Sequence, residues 1–282
     1  MTVMARAENK VEAGGTAHMV AAMSKAFREQ HQFTQEELGR QIGYTASAIS
    51  AMETCAQPAS DKMLVKLEEV IGGGFGLFET ARKYVLLDKY PPQFKNFALM
   101  EAQAVTLSSY ETYVVDGLFQ TEDYARALID GGFPKLTEEK VNELVEARLA
   151  RKELFHRDPT AMIELILDEA VLKRPFVSWE IQHGQLRSLA EDAERDNVSI
   201  QVMPLERGLR GSHAGATGAM KLVETKEHHR VVYLEIEDES ILVSDPAKVA
   251  RLSHRYAKIR TQALSPDDSL SLIRQLAGED RR

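Results

Sequence analysis

The sequence predicts a small all-α bundle followed by a larger α+β domain, and three observations carry that reading. Apolar residues recur at helical spacing from Thr16 to Ile71, interrupted by short turn signals. In the last third, short runs rich in β-branched residues such as RVVYLEI and SILVS are separated by loops, the pattern of strands. Between the two regimes stand Pro91 and Pro92, which end a helical stretch and mark a domain junction. A chain of 282 residues is long for a single domain, and each predicted part is large enough to bury its own core.

Residues 1–15 end in Ala13, Gly14 and Gly15 without apolar period and read as a flexible tail. From Thr16, the residues Met19, Met23, Ala26 and Phe27 mark the apolar face of a first helix. TQEELGRQIG, TASAISAMETC and DKMLVKLEEVIGG follow as three more. Asp61 is placed to cap the last of these, and Gly72, Gly73 and Gly74 stop it. The GGGFG run follows a helix and lacks the Lys and Ser or Thr of a phosphate loop, so it reads as a helix end. The bundle therefore covers residues 16–75, and LFETARKYVLLDKY supplies a connecting helix and linker over 76–92.

The remainder, 93–282, reads as the α+β domain. Its first half is mostly helical, with QTEDYARALIDGG and a long TEEKVNELVEARLARKELFHRD whose apolar stripe is Val141, Leu144, Val145, Leu149 and Phe155. AMIELILDEAVL begins as a strand and turns helical, and a helix over 180–195 precedes the strand VSIQVMPL. GAMKLVE, RVVYLEI and SILVS are further strands. Helices over 246–263 and 266–277 close the chain, the second capped by Ser265 with Pro266 at its first position.

Residues 35–53 hold the strongest chemistry-bearing pattern. Leu38, Ile42, Ile49 and Met52 are the apolar positions that two short helices need to cross steeply. Gly39 falls where they approach closest, and Gly43 falls where the chain turns sharply with a positive φ. Tyr44 plugs the turn, Thr45 caps the second helix, and Gln35 opens the first, where its amide and the helix N–H groups suit a backbone phosphate. This stretch resembles the helix-turn-helix of the XRE and phage-repressor family. The resemblance implies that the second helix, begun by Thr45, enters the major groove of double-stranded DNA with Ala46, Ser47 and Ser50 toward the bases, where Ala46 or Ala48 meets a thymine methyl. Gln35 and Arg40 are the DNA-binding candidates for phosphates. Lys25 and Arg28 are further candidates for phosphates. Thr54, Cys55 and Ala56 stand where that family often has a glycine and a basic residue.

From about residue 80 onward, GLFQTEDYARAL (117–128), ARLARKE (147–153), LDEAVLKRP (167–175), NVSIQVMP (197–204) and LSPDDSLSLI (264–273) occur in order. They resemble the C-terminal domain that follows XRE-type helix-turn-helices in actinobacterial regulators, the WhiJ-like or antitoxin-like family. That resemblance implies a transcriptional regulator whose C-terminal domain receives a partner, including a small protein from a neighbouring gene, or a ligand. The alternative it carries is an antitoxin-like protein acting mainly through such a partner. Short recognition side chains further imply a homodimer reading two half-sites.

Composition limits the other classes. The net charge is −8, and residues 1–75 hold 7 Lys plus Arg against 9 Asp plus Glu, so the basic footprint usual in DNA binders is faint. A lone Cys55 and no signal-peptide or membrane-spanning stretch fit a cytoplasmic protein with no membrane partner. No cofactor, metal site or catalytic residue is expected. Ser212 and His213 lie in a glycine-rich loop, but Arg210 stands where a nucleophile elbow needs glycine. Asp168 and Glu169 are adjacent and point apart, which suits capping. His228 and His229 lack metal-pair spacing, and His213 and His254 read as isolated. Trp179, Phe176, Phe119 and Tyr124 read as core.

Overall fold

The structure is a computed structural model describing residues 15–88, 90, 92–236 and 239–278; of the tail expected over 1–15, all but Gly15 lies outside the described residues. The chain divides after Tyr90 into two compact units.

The first unit contains α1 (Gly15–Gln30), α2 (Gln35–Ile42), α3 (Ala46–Glu53), α4 (Asp61–Ile71) and α5 (Leu77–Asp88). Thr34, Thr45 and Ser60 close the N-termini of α2, α3 and α4, each side-chain oxygen accepting from the N–H three residues on. The cap of α4 is thus Ser60 and not Asp61. A cap needs extended backbone, which Ser60 has (φ −73°, ψ 159°), and Asp61 instead receives the Arg82 fork at 2.7 and 2.9 Å. The face of α1 is shifted from the expected one: Met23 and Phe27 pack against the core, but Met19 and Ala26 are exposed, and Ala17, Val20, Ala21, Ser24 and Arg28 are buried. The rotation follows from Arg28, whose ion pair with Glu53 of α3 holds that polar residue inward.

Leu38, Ile49, Leu64, Leu67, Ile71 and Phe78 are fully buried at the centre of this unit. Residues 77–88, part of the connection in the sequence reading, form α5, and its Phe78, Ala81 and Val85 belong to this same core. The Glu68 carboxylate ties it down by accepting from the N–H groups of Gly76 (2.9 Å) and Phe78 (2.8 Å) at its start.

The second unit runs α6 (Pro92–Ala102), β1 (Ala104–Glu111), α7 (Glu122–Asp130), α8 (Glu138–Ala150), β2 (Met162–Asp168), α9 (Glu169–Lys173), α10 (Trp179–Asp192), β3 (Val198–Met203), β4 (Met220–Thr225), β5 (Arg230–Ile236), β6 (Glu239–Val243), α11 (Pro246–Gln262) and α12 (Pro266–Ala277), with 3-10 turns at Arg151–Phe155 and Leu205–Arg210. The strands form one mixed sheet in the order β3-β2-β1-β4-β5-β6. β1, β2 and β3 are parallel; β4, β5 and β6 continue antiparallel. The architecture is all-α followed by α+β, as the patterning predicts. The sheet's central strand β1 and the helix α6 before it have no counterpart in the sequence reading.

Alternation splits the sheet's side chains between two cores. Leu107, Ile163, Leu165, Leu167, Ile200 and Val202 face a large cluster shared with Phe97, Tyr124, Leu186, Leu189 and Ile273. Tyr110, Ile166, Met220 and Val232 face the other side, against Val249, Tyr256 and Ile259 of α11. The outer edge of β3 is covered, because Val202 N–H donates to Ser269 Oγ (2.9 Å) and Val202 O accepts from Leu264 N–H (2.8 Å). Phe119 and Tyr124 are core residues, but Trp179 and Phe176 are not: they are 58% and 44% exposed. Trp179 is the first residue of α10 and Phe176 lies in the segment between α9 and α10; their neighbours Val177 and Ile181 are the ones that turn toward the core.

Candidate nucleic-acid interface

The interface is built from the α2–turn–α3 unit. Leu38, Ile42, Ile49 and Met52 are buried together, which fixes the two helices against each other. Gly39 makes the close crossing possible: a Cβ there would lie 2.6 Å from Tyr44 O. Gly43 turns the chain with φ +77° and N–H donating back to Gly39 O, the left-handed end that glycine adopts without steric cost. Tyr44 then anchors the turn to α4 through its hydroxyl, 3.3 Å from Ser60 Oγ.

A buried polar knot holds α1, α2 and α3 together. Glu53 accepts from Arg28 Nε (2.6 Å) and Nη2 (3.0 Å) and from Gln35 Nε2 (2.9 Å), while Arg28 Nη1 donates to Phe33 O (2.8 Å). The hydrogen bonds and charge of Glu53 raise the Arg28 guanidinium still further above its usual range, so it stays charged. Arg28 is therefore spent inside the bundle and does not reach toward phosphates. Gln35 is positioned as the sequence suggests, at the first residue of α2, and its amide nitrogen is engaged by Glu53.

The N-terminus of α2 is partly occupied from within. Thr34 and Glu37 form a reciprocal capping box, and these bonds hold the Glu37 carboxyl below its ordinary range. Among the described residues, the N–H groups of Gln35 and Glu36 have no acceptor. Thr45, Ala46 and Ser47 are exposed at the start of α3, as is Arg40 in the last turn of α2. Ser50 is half-buried one turn further along, and Ala48 is half-buried against the core with its N–H on Thr45 Oγ1. α3 carries no Lys or Arg. After it, Cys55 adopts φ +57°, the conformation that a glycine supplies in the family pattern.

In the second unit, Asp168 caps α9 by accepting from Ala170 N–H, as expected. His213 is not isolated: its Nε2 lies 3.8 Å from Asp168 Oδ2, and Tyr110 Oη donates to the same oxygen at 3.5 Å. His213 Nδ1 accepts from Gly215 N–H, which places the ring proton on Nε2, facing Asp168. Burial and the Asp168 charge push the Tyr110 phenol up, so it stays neutral with its hydroxyl directed to Asp168.

Sequence reasoning missed a second buried knot. Lys221 of β4 pairs with Asp116 and lies 3.0 Å from Glu111 Oε1, while Arg151 grips Glu101 through two bonds of 2.7 Å and sits 3.9 Å from Asp116. Burial pushes Glu111 up to about 7; against the same burial, Lys221 and Arg151 hold Asp116 below the usual carboxylate range. The available signal was the pair of arginines in ARLARKE, a helical stretch otherwise facing a core. A groove of about 830 Å³ lies between the open end of the β5–β6 hairpin and α11, with His228, His229 and His254 over Met100, Val231 and Leu242. Among the described residues no cluster is placed to hold a metal ion, and no helix is long and apolar enough to cross a membrane.

Comparison with known families agrees with this division. Residues 25–78 match the helix-turn-helix family, and residues 94–275 match a family described as a domain of unknown function (DUF5753). No curated protein and no solved structure gives a match. The N-terminal unit is thus a helix-turn-helix of the kind found in DNA-binding regulators, and the chain belongs to the family of the domain of unknown function DUF5753.

Proposed function

We propose that this protein is a cytoplasmic transcriptional regulator that binds double-stranded DNA as a homodimer and receives a partner protein or ligand through its second unit. The observation that supports it best is the exposed start of α3, where Thr45, Ala46 and Ser47 stand clear of a rigidly crossed α2–α3 pair. In this reading Ser47 and Ser50 hydrogen-bond base edges, Ala46 and Ala48 meet thymine methyls, and Thr45 positions the helix start. Arg40 and the unpaired N–H groups of Gln35 and Glu36 hold phosphates. The chain acts as a binding protein and not as an enzyme. The test compares retention on selected and random duplexes. Arg40→Ala weakens both, whereas Ser47→Ala and Ser50→Ala change preference at particular base pairs. Equal loss on both duplexes for all three variants contradicts the assignment.

A second reading, a WhiJ-like or antitoxin-like protein acting mainly by binding a small protein from a neighbouring gene, is favoured by one observation. α3 contains Glu53 and no cation, and the chain's first 75 residues carry more carboxylates than cations. Binding to genomic fragments that does not weaken with rising salt, or no binding at all, would favour it over DNA recognition.

A further inference from the structure

Nine large apolar side chains are exposed in the second unit among the described residues, and five of them, Tyr113, Phe176, Trp179, Leu205 and Leu209, stand on segments leaving one end of the sheet. The register aligns Glu111 with Leu167 and Asp168 with Met203, so the three parallel strands end level there. Tyr113 follows β1, Phe176 and Trp179 follow α9 at the end of β2, and the two leucines follow β3.

Side-chain and backbone contacts join these exits into one surface. The Arg174 guanidinium lies 6.0 Å from the ring centre of Tyr113 and 5.8 Å from that of Phe176, while Glu169 accepts from Leu205 N–H at 2.8 Å and pairs with Lys173 at 2.5 Å. The local charge opposes that of the surroundings. Residues 91–282 hold 25 Lys plus Arg against 32 Asp plus Glu, yet the segments 169–179 and 205–210 carry Lys173, Arg174, Arg207 and Arg210 against Glu169 and Glu206. Glu169 is already engaged by Lys173 and Leu205. Among the described residues, Arg174, Arg207 and Arg210 have no carboxylate at ion-pair distance, and Arg207 Nε is buried without a hydrogen-bond acceptor.

We infer that this end of the sheet is a docking surface for an acidic protein segment bearing aromatic or aliphatic side chains. An arginine resting on two rings presents a planar fork in a partly dry setting, which suits a carboxylate held by two bonds. Tyr, Trp and Arg are the residues that dominate protein interfaces, and clustered exposed apolar area on a water-soluble surface marks such contacts. A second copy of the chain fits poorly, because a two-fold contact would bring this cationic surface against its own mate.

The inference rests on the partner-receiving role proposed above, and the experiment separates the two. A displayed random-peptide library is panned on the full-length protein, and enriched peptides are measured against Arg174→Glu and Trp179→Ser variants. Enriched peptides combine Asp or Glu with Trp, Phe or Leu, and each substitution weakens them by about tenfold or more. Thermal unfolding and DNA retention stay unchanged in both variants. Peptides without acidic bias, or peptides that bind the second unit and ignore both substitutions, overturn this surface while the partner role stands. Failure to enrich any peptide overturns this surface as well, while the receipt of a folded protein or a small ligand stands. Displacement of the peptides by duplex DNA, or loss of a dimer in sedimentation of either variant, assigns the surface to nucleic acid or to a second copy and overturns the inference as well.

Discussion

Glu53 shows how one side chain serves both fold and interface. Its side chain is 3% exposed, and it closes the last turn of α3 onto Arg28 and Gln35. Removing it leaves the buried guanidinium of Arg28 uncompensated. Glu53→Ala is expected to cost the bundle about 3 kcal/mol, and Arg28→Met combined with Glu53→Met less than that, because breaking a buried pair is costlier than replacing both members by apolar groups. Urea unfolding of the three proteins measures it; a double variant less stable than the single one refutes the account.

Glu111 gives a residue-scale prediction about pH. Its burial raises it to about 7 from an ordinary value of 4.5. Between those values the folded chain keeps a proton that the unfolded chain has lost, so this contribution to stability is present below 4.5 and is lost as pH rises through about 7. Asp116 has the opposite sign, its contribution being lost only as pH falls below the ordinary aspartate range. The second unit should therefore lose up to about 3 kcal/mol from this group between pH 4.5 and about 7, and Glu111→Gln should flatten that slope. Unfolding curves of the two proteins that stay parallel across this range would exclude it.

At the scale of the element, the turn between α2 and α3 separates two uses of glycine. At Gly43 nothing lies within 4 Å of an added Cβ, so Gly43→Ala meets only the positive φ and should cost about 1 kcal/mol. At Gly39 the added Cβ meets backbone, and Gly39→Ala should cost more, about 2 kcal/mol, even though alanine is the better helix former. Chemical denaturation gives the order, and Gly43→Ala proving the more harmful would mean that the helices can slide apart. The same scale explains the strand that was not anticipated. β1 reads Ala-Val-Thr-Leu-Ser-Ser-Tyr-Glu, with too many polar residues for a central strand. Ser109 and Glu111 are nevertheless buried, because the register sets Lys221 of β4 opposite Ser109 and brings its amine to Glu111.

For the whole molecule, the boundary after Tyr90 has a consequence that a boundary at 75 lacks. Phe78 is fully buried and meets Phe27 edge-on at 5.9 Å, and Arg82 grips Asp61. A fragment ending at 75 should lose roughly 3–5 kcal/mol relative to one ending at 90, the cost of removing a buried phenylalanine. A fragment from 91 onward should unfold cooperatively by itself. Circular dichroism melts of the three fragments check this; equal melting of the two shorter ones would place α5 outside the bundle.

By itself the sequence determined the helix-turn-helix, the order of all-α and α+β parts, and most element ends. Those depend on local chemistry: hydroxyl caps at Thr45 and Ser265, glycine at the 43 turn, and apolar period. It also identified the residues at the start of α3, since their exposure follows from helical spacing once Ile49 and Met52 are turned inward. Only the tertiary structure decided which polar residues are spent inside. Arg28 left the candidate phosphate contacts, β1 entered the centre of the sheet, and Trp179 and Phe176 came to the surface. A charge or an aromatic ring carries no local mark of its partner. Whether it is buried depends on a residue 25 positions away, as for Arg28 and Glu53, or 105 away, as for Asp116 and Lys221, and only folding brings those residues together.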